Sequence, residues 1–325
     1  MLSIYAMGDM GPVEVSDIGE DVWIKMTNPS KEEIAKIQNA LGIDVEVLTA
    51  ALDDEEGSRA EVDIDYTLIV IDVPAQEWRN DKLEYTTFPL AIAITDTAIV
   101  TVSLVETLGM GGLIKNKVSV HGPVNIANRP RFVLQMLYKI AQDYQTDLKY
   151  IESRRLAMER SIRVKTERDD LFELHELESN LVYFKTSLSV NSTVVGRLAR
   201  QSRFVSSEED KDLLDDVIIE MNQALEMTDT YSQIVKGTRQ LVEADMNNSL
   251  STVMKSLTII TLIMSIPTII ASFFGMNVRL PLADYYDMWK LIVVVMIIGC
   301  LIAAVFLRTG NLWKKKKVRS RSGWL

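Results

Sequence analysis

The chain is poor in the residues that most often carry chemistry. It has one cysteine and two histidines in 325 residues. Cys300 lies inside an apolar run, so neither a disulfide framework nor a thiolate metal site can be built. His121 and His175 stand far apart in sequence and read as surface or packing residues rather than metal ligands. No Ser-His-Asp or Cys-His set is discernible, and with it goes any basis for an enzyme or an organic cofactor. Gly109-Met-Gly-Gly112 is not followed by Gly-Lys-Ser/Thr and reads as a turn rather than a phosphate loop. The first residues lack a basic segment ahead of a long apolar one, so they do not read as a secretory signal. Helix breakers are scarce in the middle: between Pro130 and Pro267 only Gly196 and Gly237 interrupt.

Charge is missing from one end by sign. Of the 45 acidic residues only Asp284 and Asp287 lie beyond position 250, against ten of the 35 basic residues. The first 250 residues are therefore strongly acidic and the remainder basic. An acidic body does not neutralise phosphates, which excludes nucleic acid as a partner. It suits cations.

Two uncharged runs are present, Leu257 to Phe274 with 18 residues and Leu291 to Leu307 with 17. A bilayer core takes about 20 apolar residues at 1.5 Å each, so both read as spanning helices. Met288 and Trp289 lengthen the second while Lys290 snorkels. The tail after it carries Arg308, Lys314 to Lys317, Arg319 and Arg321. Positive-inside bias places this tail in the cytoplasm, and two spans return the acidic body to the same side.

The first 105 residues or so read as α/β. Val22 to Met26 and Tyr66 to Val73 are apolar strand-like runs, and Phe88 to Ile94 with Ala98 to Ser103 form a hairpin around Thr95-Asp96-Thr97. Ser30 with Glu33 makes a capping box, followed by Ile34, Ile37 and Leu41 on one helical face. From Arg131 the pattern is helical. Phe132, Met136, Ile140 and Tyr144 mark one helix, and Leu171, Leu174, Leu181, Phe184 and Leu188 a second. Ser206 to Glu209 offers a capping box for a third, which can run unbroken to Phe274, about 100 Å at 1.5 Å per residue. The expected layout is 1–128 α/β domain, 129–205 helical hairpin, 206–256 stalk helix, 257–276 first span, 277–288 outer loop, 289–308 second span and 309–325 basic tail.

The first span carries Thr261, Ser265, Thr268 and Ser272, spaced 4, 3 and 4 apart, with Met254 and Leu257 continuing the series at one end and Gly275 at the other. These positions form one stripe. Small hydroxyl residues often join helices in lipid. Alternatively, several copies of the stripe surround an aqueous path. Uncharged hydroxyls suit an ion that keeps its water, as Mg²⁺ does.

Phe274-Gly275-Met276-Asn277 follows at once, before a short loop, a second span and a Lys-rich end. In that place Gly-Met-Asn resembles the signature of the CorA-type magnesium transporter family. Val22-Trp-Ile-Lys-Met-Thr-Asn-Pro29 and Val253-Met-Lys-Ser-Leu-Thr-Ile-Ile260 resemble two further family segments, so the likeness covers the whole chain. The resemblance implies a funnel-shaped homopentamer in the plasma or inner membrane, with an α+β cytoplasmic domain, two C-terminal spans and both termini inside. It implies Mg²⁺ influx through a pore lined by the first span, with matched pore positions Met254, Leu257, Thr268 and Asn277. Asn277 would form a ring at the outer mouth, Gly275 would let the backbone near the axis, and Met276 would pack. It also implies closure by cytoplasmic Mg²⁺ bound between subunits. Asp216 is the matched position, with Asp215 and Glu220 near it and Glu77 or Asp81 as partner acids. Ser265 departs from the methionine common in relatives, Pro267 lies one residue nearer the signature, and Arg279 adds positive charge to the outer loop. Co²⁺, Ni²⁺ or Zn²⁺ as the ion, imported or exported, and a non-conducting membrane-anchored scaffold or sensor remain the alternatives.

Overall fold

The computed structural model describes residues 1–9, 11–54, 56–79, 82–115, 122–162, 168–276 and 288–309. It divides into two compact units, Met1–Val242 and Glu243–Leu325.

The first unit is built on a seven-stranded mixed sheet. Its strands are β1 (Leu2–Gly8), β2 (Gly11–Val15), β3 (Val22–Thr27), β4 (Arg59–Val62), β5 (Tyr66–Arg79), β6 (Lys82–Thr95) and β7 (Ala98–Ser103). They lie in the order β2-β1-β3-β7-β6-β5-β4, antiparallel except for the β3–β7 pair. Between the strands come α1 (Lys31–Leu41) and α2 (Val45–Thr49), then α3 (Leu108–Ile114), α4 (Arg129–Ile162), α5 (Arg168–Leu198) and α6 (Glu208–Phe274). Strand alternation sends side chains to both faces, and both are covered. Ile24, Met26, Val70, Ala91 and Val100 pack with Ile34, Ile37 and Leu48 of α1 and α2. Trp23 points the other way, edge-on to Phe132 of α4 at 5.3 Å, with its indole N–H donating to Thr101 Oγ1 at 2.9 Å. Buried on two faces, the inner strands read as continuous β-branched runs.

The Ser30–Glu33 capping box forms, with N–H donation in both directions at 3.2 and 2.9 Å. The expected helical periodicities hold: Phe132, Met136, Ile140 and Tyr144 are buried on α4, and Leu174, Leu181, Phe184 and Leu188 on α5. Three expectations are corrected. The β5–β6 hairpin continues past the apolar runs, to Arg79 and from Lys82, and Pro74 and Pro89 stand within it without ending the pairing. Pro74 lies past the end of the β4–β5 ladder, which closes at Arg59–Val70, and Pro89 lies past the last β6–β7 partners, Leu90–Ser103. At such edges a missing N–H breaks no ladder bond. The cap of α6 sits one residue later, with the Ser207 hydroxyl accepting from Asp210 N at 3.1 Å. Arg131 draws the buried Asp210 inward at 3.2 Å, and its carboxylate also accepts from Ser206 and Ser207. Gly109 to Gly112 are helical, within α3. A Cβ on Gly109 would lie 1.9 Å from Asp143 Oδ2, so this glycine marks close packing on α4 rather than a turn.

Past the end of β4, the peptide of Asp72 has no strand partner on that side. Asn191 of α5 supplies one: its Oδ1 accepts from Asp72 N at 3.0 Å and its Nδ2 donates to Asp72 O at 2.7 Å. Tyr144 donates to the same carbonyl at 3.1 Å. A side-chain amide thus stands in for a strand and closes an edge.

The second unit holds the remainder of α6 from Glu243 and α7 (Met288–Thr309). α6 and α7 are long and apolar enough to cross a membrane.

Candidate functional site

Within the second unit, α6 and α7 pack through a defined face. Gly299 lets the helices approach, since a Cβ there would lie 3.1 Å from Ile266 Cγ2. Ile263 and Pro267 of α6 line an apolar groove of about 440 Å³ with Val293, Met296, Ile297 and Cys300 of α7. At 3.6 residues per turn, Thr261, Ser265, Thr268 and Ser272 fall on the opposite side of α6 from Ile263, Ile266 and Pro267. Met254, Leu257, Thr261, Thr268 and Ser272 are exposed, and Ser265 is half-buried. The hydroxyl stripe therefore does not join α6 to the chain's own second apolar helix.

Three of the four hydroxyl protons of the stripe are spent inside α6. Thr261 donates to Leu257 O at 2.9 Å, Ser265 to Leu262 O at 2.8 Å and Thr268 to Met264 O at 2.9 Å. What each oxygen has left to present outward is lone pairs. A row of acceptors without negative charge fits donors, and the water shell of a cation is such a donor surface.

At the end of α6, Gly275 N donates to Ala271 O at 2.9 Å and Met276 N reaches Phe273 O at 3.4 Å, so both still close the last helical turn. Both residues are exposed. A Cβ on Gly275 would approach Ala271 O at 3.2 Å. Asn277, the loop with Arg279, Asp284 and Asp287, and the basic tail from position 310 lie outside the described residues.

In the first unit, the expected regulatory acids are only partly brought together. Asp215 is exposed and Asp216 half-buried on α6. Glu220 accepts from Gln145 Nε2 of α4 at 2.5 Å. Burial, together with the charges of Glu220 and Asp216, raises the Tyr138 phenol, so these two carboxylates share a face toward α4. Glu77 lies on β5 directly opposite Glu84 of β6, while Asp81 and His121 lie outside the described residues. Among the described residues no group of three or more His, Cys, Asp or Glu side chains is placed to hold a metal ion.

A different set of carboxyls carries the perturbed acid chemistry. Burial pushes Asp147 of α4 up to about 6, with Gln76 Nε2 donating to it at 3.0 Å, Asp143 opposing its charge and Lys139 favouring it. Burial likewise raises Asp143, which is held by Lys139 at 2.5 Å, and Asp72 beside Ser187 and Ser58. The signal in the sequence was slight: Asp143 and Asp147 are spaced i, i+4 beside the Ile140–Tyr144 face.

The family described as CorA-like Mg²⁺ transporter protein matches residues 20–315. The cobalt/magnesium transport protein CorA of Methanocaldococcus jannaschii is 28% identical over 293 residues, covering 89% of this chain and 90% of that protein. The cobalt/magnesium transport protein CorA of Thermotoga maritima is 22% identical over 264 residues, covering 80% and 74%. The complete structure of the CorA magnesium transporter from Methanocaldococcus jannaschii superposes with a TM-score of 0.80 at 24% identity, covering 100% of this chain and 99% of that one. A match across nearly the whole length, on a chain with a mixed sheet, a long helix and two apolar C-terminal helices, shows that the chain belongs to the CorA-like Mg²⁺ transporter family.

Proposed function

We propose that the chain conducts divalent cations across a membrane, with Mg²⁺ as the ion, and that it does so as a homopentamer whose α6 helices surround the path. The observation that carries this reading is the hydroxyl stripe on the side of α6 away from α7, with the protons of Thr261, Ser265 and Thr268 spent on backbone carbonyls. Its outward lone pairs accept from coordinated water, so a hydrated ion passes without a tight first-shell site. Met254 and Leu257 continue the stripe and form an apolar constriction toward the acidic body. Gly275, Met276 and Asn277 close its outer end, with the Asn277 amides accepting from the ion's water. Two charges crossing 100 mV gain about 4.6 kcal/mol, so influx needs no nucleotide.

Closure by cytoplasmic Mg²⁺ fits the acids of α6. Among the described residues Asp216, with Asp215 and Glu220, is not placed in a group of three that could hold a metal ion, and carboxylates from another copy would complete the site, for which Glu77 and Asp81 are the candidates. A hard cation bridging two copies would relieve their repulsion. Both CorA relatives are named as cobalt/magnesium transport proteins, so Co²⁺ is the second reading for the ion.

The test is reconstitution in liposomes loaded with a Mg²⁺-sensitive dye. Wild-type chain is expected to admit Mg²⁺, and Asn277→Ala to abolish influx while still assembling. Wild-type flux in Asn277→Ala would remove the pore-mouth role. Passage of Co²⁺ but not Mg²⁺ would change the ion and keep the architecture, and no flux of any divalent ion would turn the reading to a scaffold.

A further inference from the structure

Pro267 stands inside α6, and a proline has no N–H to give to the carbonyl four residues back. That carbonyl belongs to Ile263. In lipid such a group has no water to turn to, and a neighbouring helix must satisfy it. The Sγ of Cys300 on α7 lies 3.7 Å from Ile263 O, within reach of a thiol hydrogen bond. Between Leu291 and Leu307 no other side chain carries a hydrogen to donate, the rest being aliphatic, Met296, Phe306 or Gly299. One residue away, Gly299 provides the close approach that brings the thiol to the carbonyl. The chain's one cysteine and the one proline of α6 thus meet on adjacent helices.

We propose that Cys300 is a positioning residue for ion passage: its thiol occupies the backbone carbonyl that Pro267 frees, and so splints α6 at its weakest point. The proposal rests on the channel reading above. Thr268 and Ser272 lie on one side of the break, and Thr261, Leu257 and Met254 on the other. Without the splint α6 is free to bend at Pro267, and the two halves of the hydroxyl stripe turn out of line. With it, the row of acceptors stays continuous. α7 then does more than anchor the chain, because it sets the geometry of a surface that it does not itself form.

The contact can be read directly. With one cysteine in the chain, the S–H stretch in the infrared belongs to a single thiol and stands clear of other protein bands. In the assembled wild type it is expected at the lowered frequency of a hydrogen-bonded thiol. Pro267→Ala returns a backbone N–H to Ile263 O, and the band should then move toward the free-thiol position. In liposomes, Cys300→Ser keeps a donor and should conduct like the wild type. Cys300→Val keeps the volume without a donor and should lose flux several-fold. A free-thiol band in the wild type, or a band unmoved by Pro267→Ala, overturns the contact, and wild-type flux in Cys300→Val overturns the positioning role. The spectrum needs no transport, so the two failures are told apart. A free-thiol band with normal flux overturns only this inference, whereas a hydrogen-bonded band in a chain that conducts nothing overturns the positioning role together with the channel.

Discussion

Asp147 shows how one residue ties stability to pH. It is 8% exposed on α4, and Gln76 of β5 donates to it. Because burial raises its carboxyl from 3.8 to about 6, the folded chain binds its proton more readily than the unfolded chain does. Its contribution to stability is therefore fully present below about pH 4 and is lost as pH rises through about 6. The loss at neutral pH is on the order of 3 kcal/mol. Asp147→Asn keeps an oxygen for Gln76 and has nothing to ionise. The variant is expected to be more stable than the wild type by about 1–3 kcal/mol at pH about 7.5, and equal to it below pH about 4. Denaturant unfolding of the detergent-solubilised chain measures both. A variant no more stable than the wild type at pH about 7.5 would mean that ionising Asp147 does not cost the fold, and one weaker at both pH values would mean that the amide does not replace the carboxyl in its packing. Asn191 works differently, since its neutral amide pairs with both backbone groups of Asp72 at any pH.

At the scale of the element, α6 carries two opposed faces in its apolar stretch. Ile263, Ile266 and Pro267 belong to the contact with α7, and the hydroxyls belong to the far side. Periodicity alone left two roles for those hydroxyls, helix glue or a wetted surface. The position of α7 removes it as the glued partner. If the far side is wetted as proposed, Thr268→Val turns an acceptor into a methyl and favours local dewetting. Divalent flux is expected to fall several-fold in Thr268→Val and to return in Thr268→Ser, as measured by dye-loaded liposomes. Undiminished flux in Thr268→Val would take Thr268 off the ion path. The fold of α6 should be indifferent, because the Thr268 proton serves only its own helix at Met264 O.

For the whole molecule the decisive feature is the separation of charge and apolarity along the chain. Acidic residues fill the first unit, while the described parts of the second expose large apolar side chains such as Leu262, Ile269, Leu301 and Phe306. Patches of that kind belong in lipid or against other copies. The regulatory reading belongs to this scale too, because no single chain assembles three metal-ligating side chains among its described residues. Asp216→Lys places a cation where Mg²⁺ would bridge copies. Reconstituted Asp216→Lys is expected to stay open at internal Mg²⁺ concentrations that close the wild type. An unchanged concentration dependence of closure would leave Asp216 a structural residue of α6.

The sequence by itself determined the class of protein. Uncharged runs of 18 and 17 residues, the loss of acids after position 250 and the Gly-Met-Asn placement are properties of order along the chain. Hydrophobic length and charge sign act locally, so they are legible without coordinates. The capping box at Ser30 and the buried faces of α4 and α5 were legible for the same reason, as interactions within one helical turn or one periodicity. Only the tertiary structure decided which side of α6 meets α7, that Cys300 stands at the carbonyl freed by Pro267, that Asn191 replaces a strand at Asp72, and that Asp147 is desolvated. Each depends on residues that are 37, 119 or 71 positions apart. Contacts across such distances follow from how whole elements pack, and no local pattern of residues encodes them.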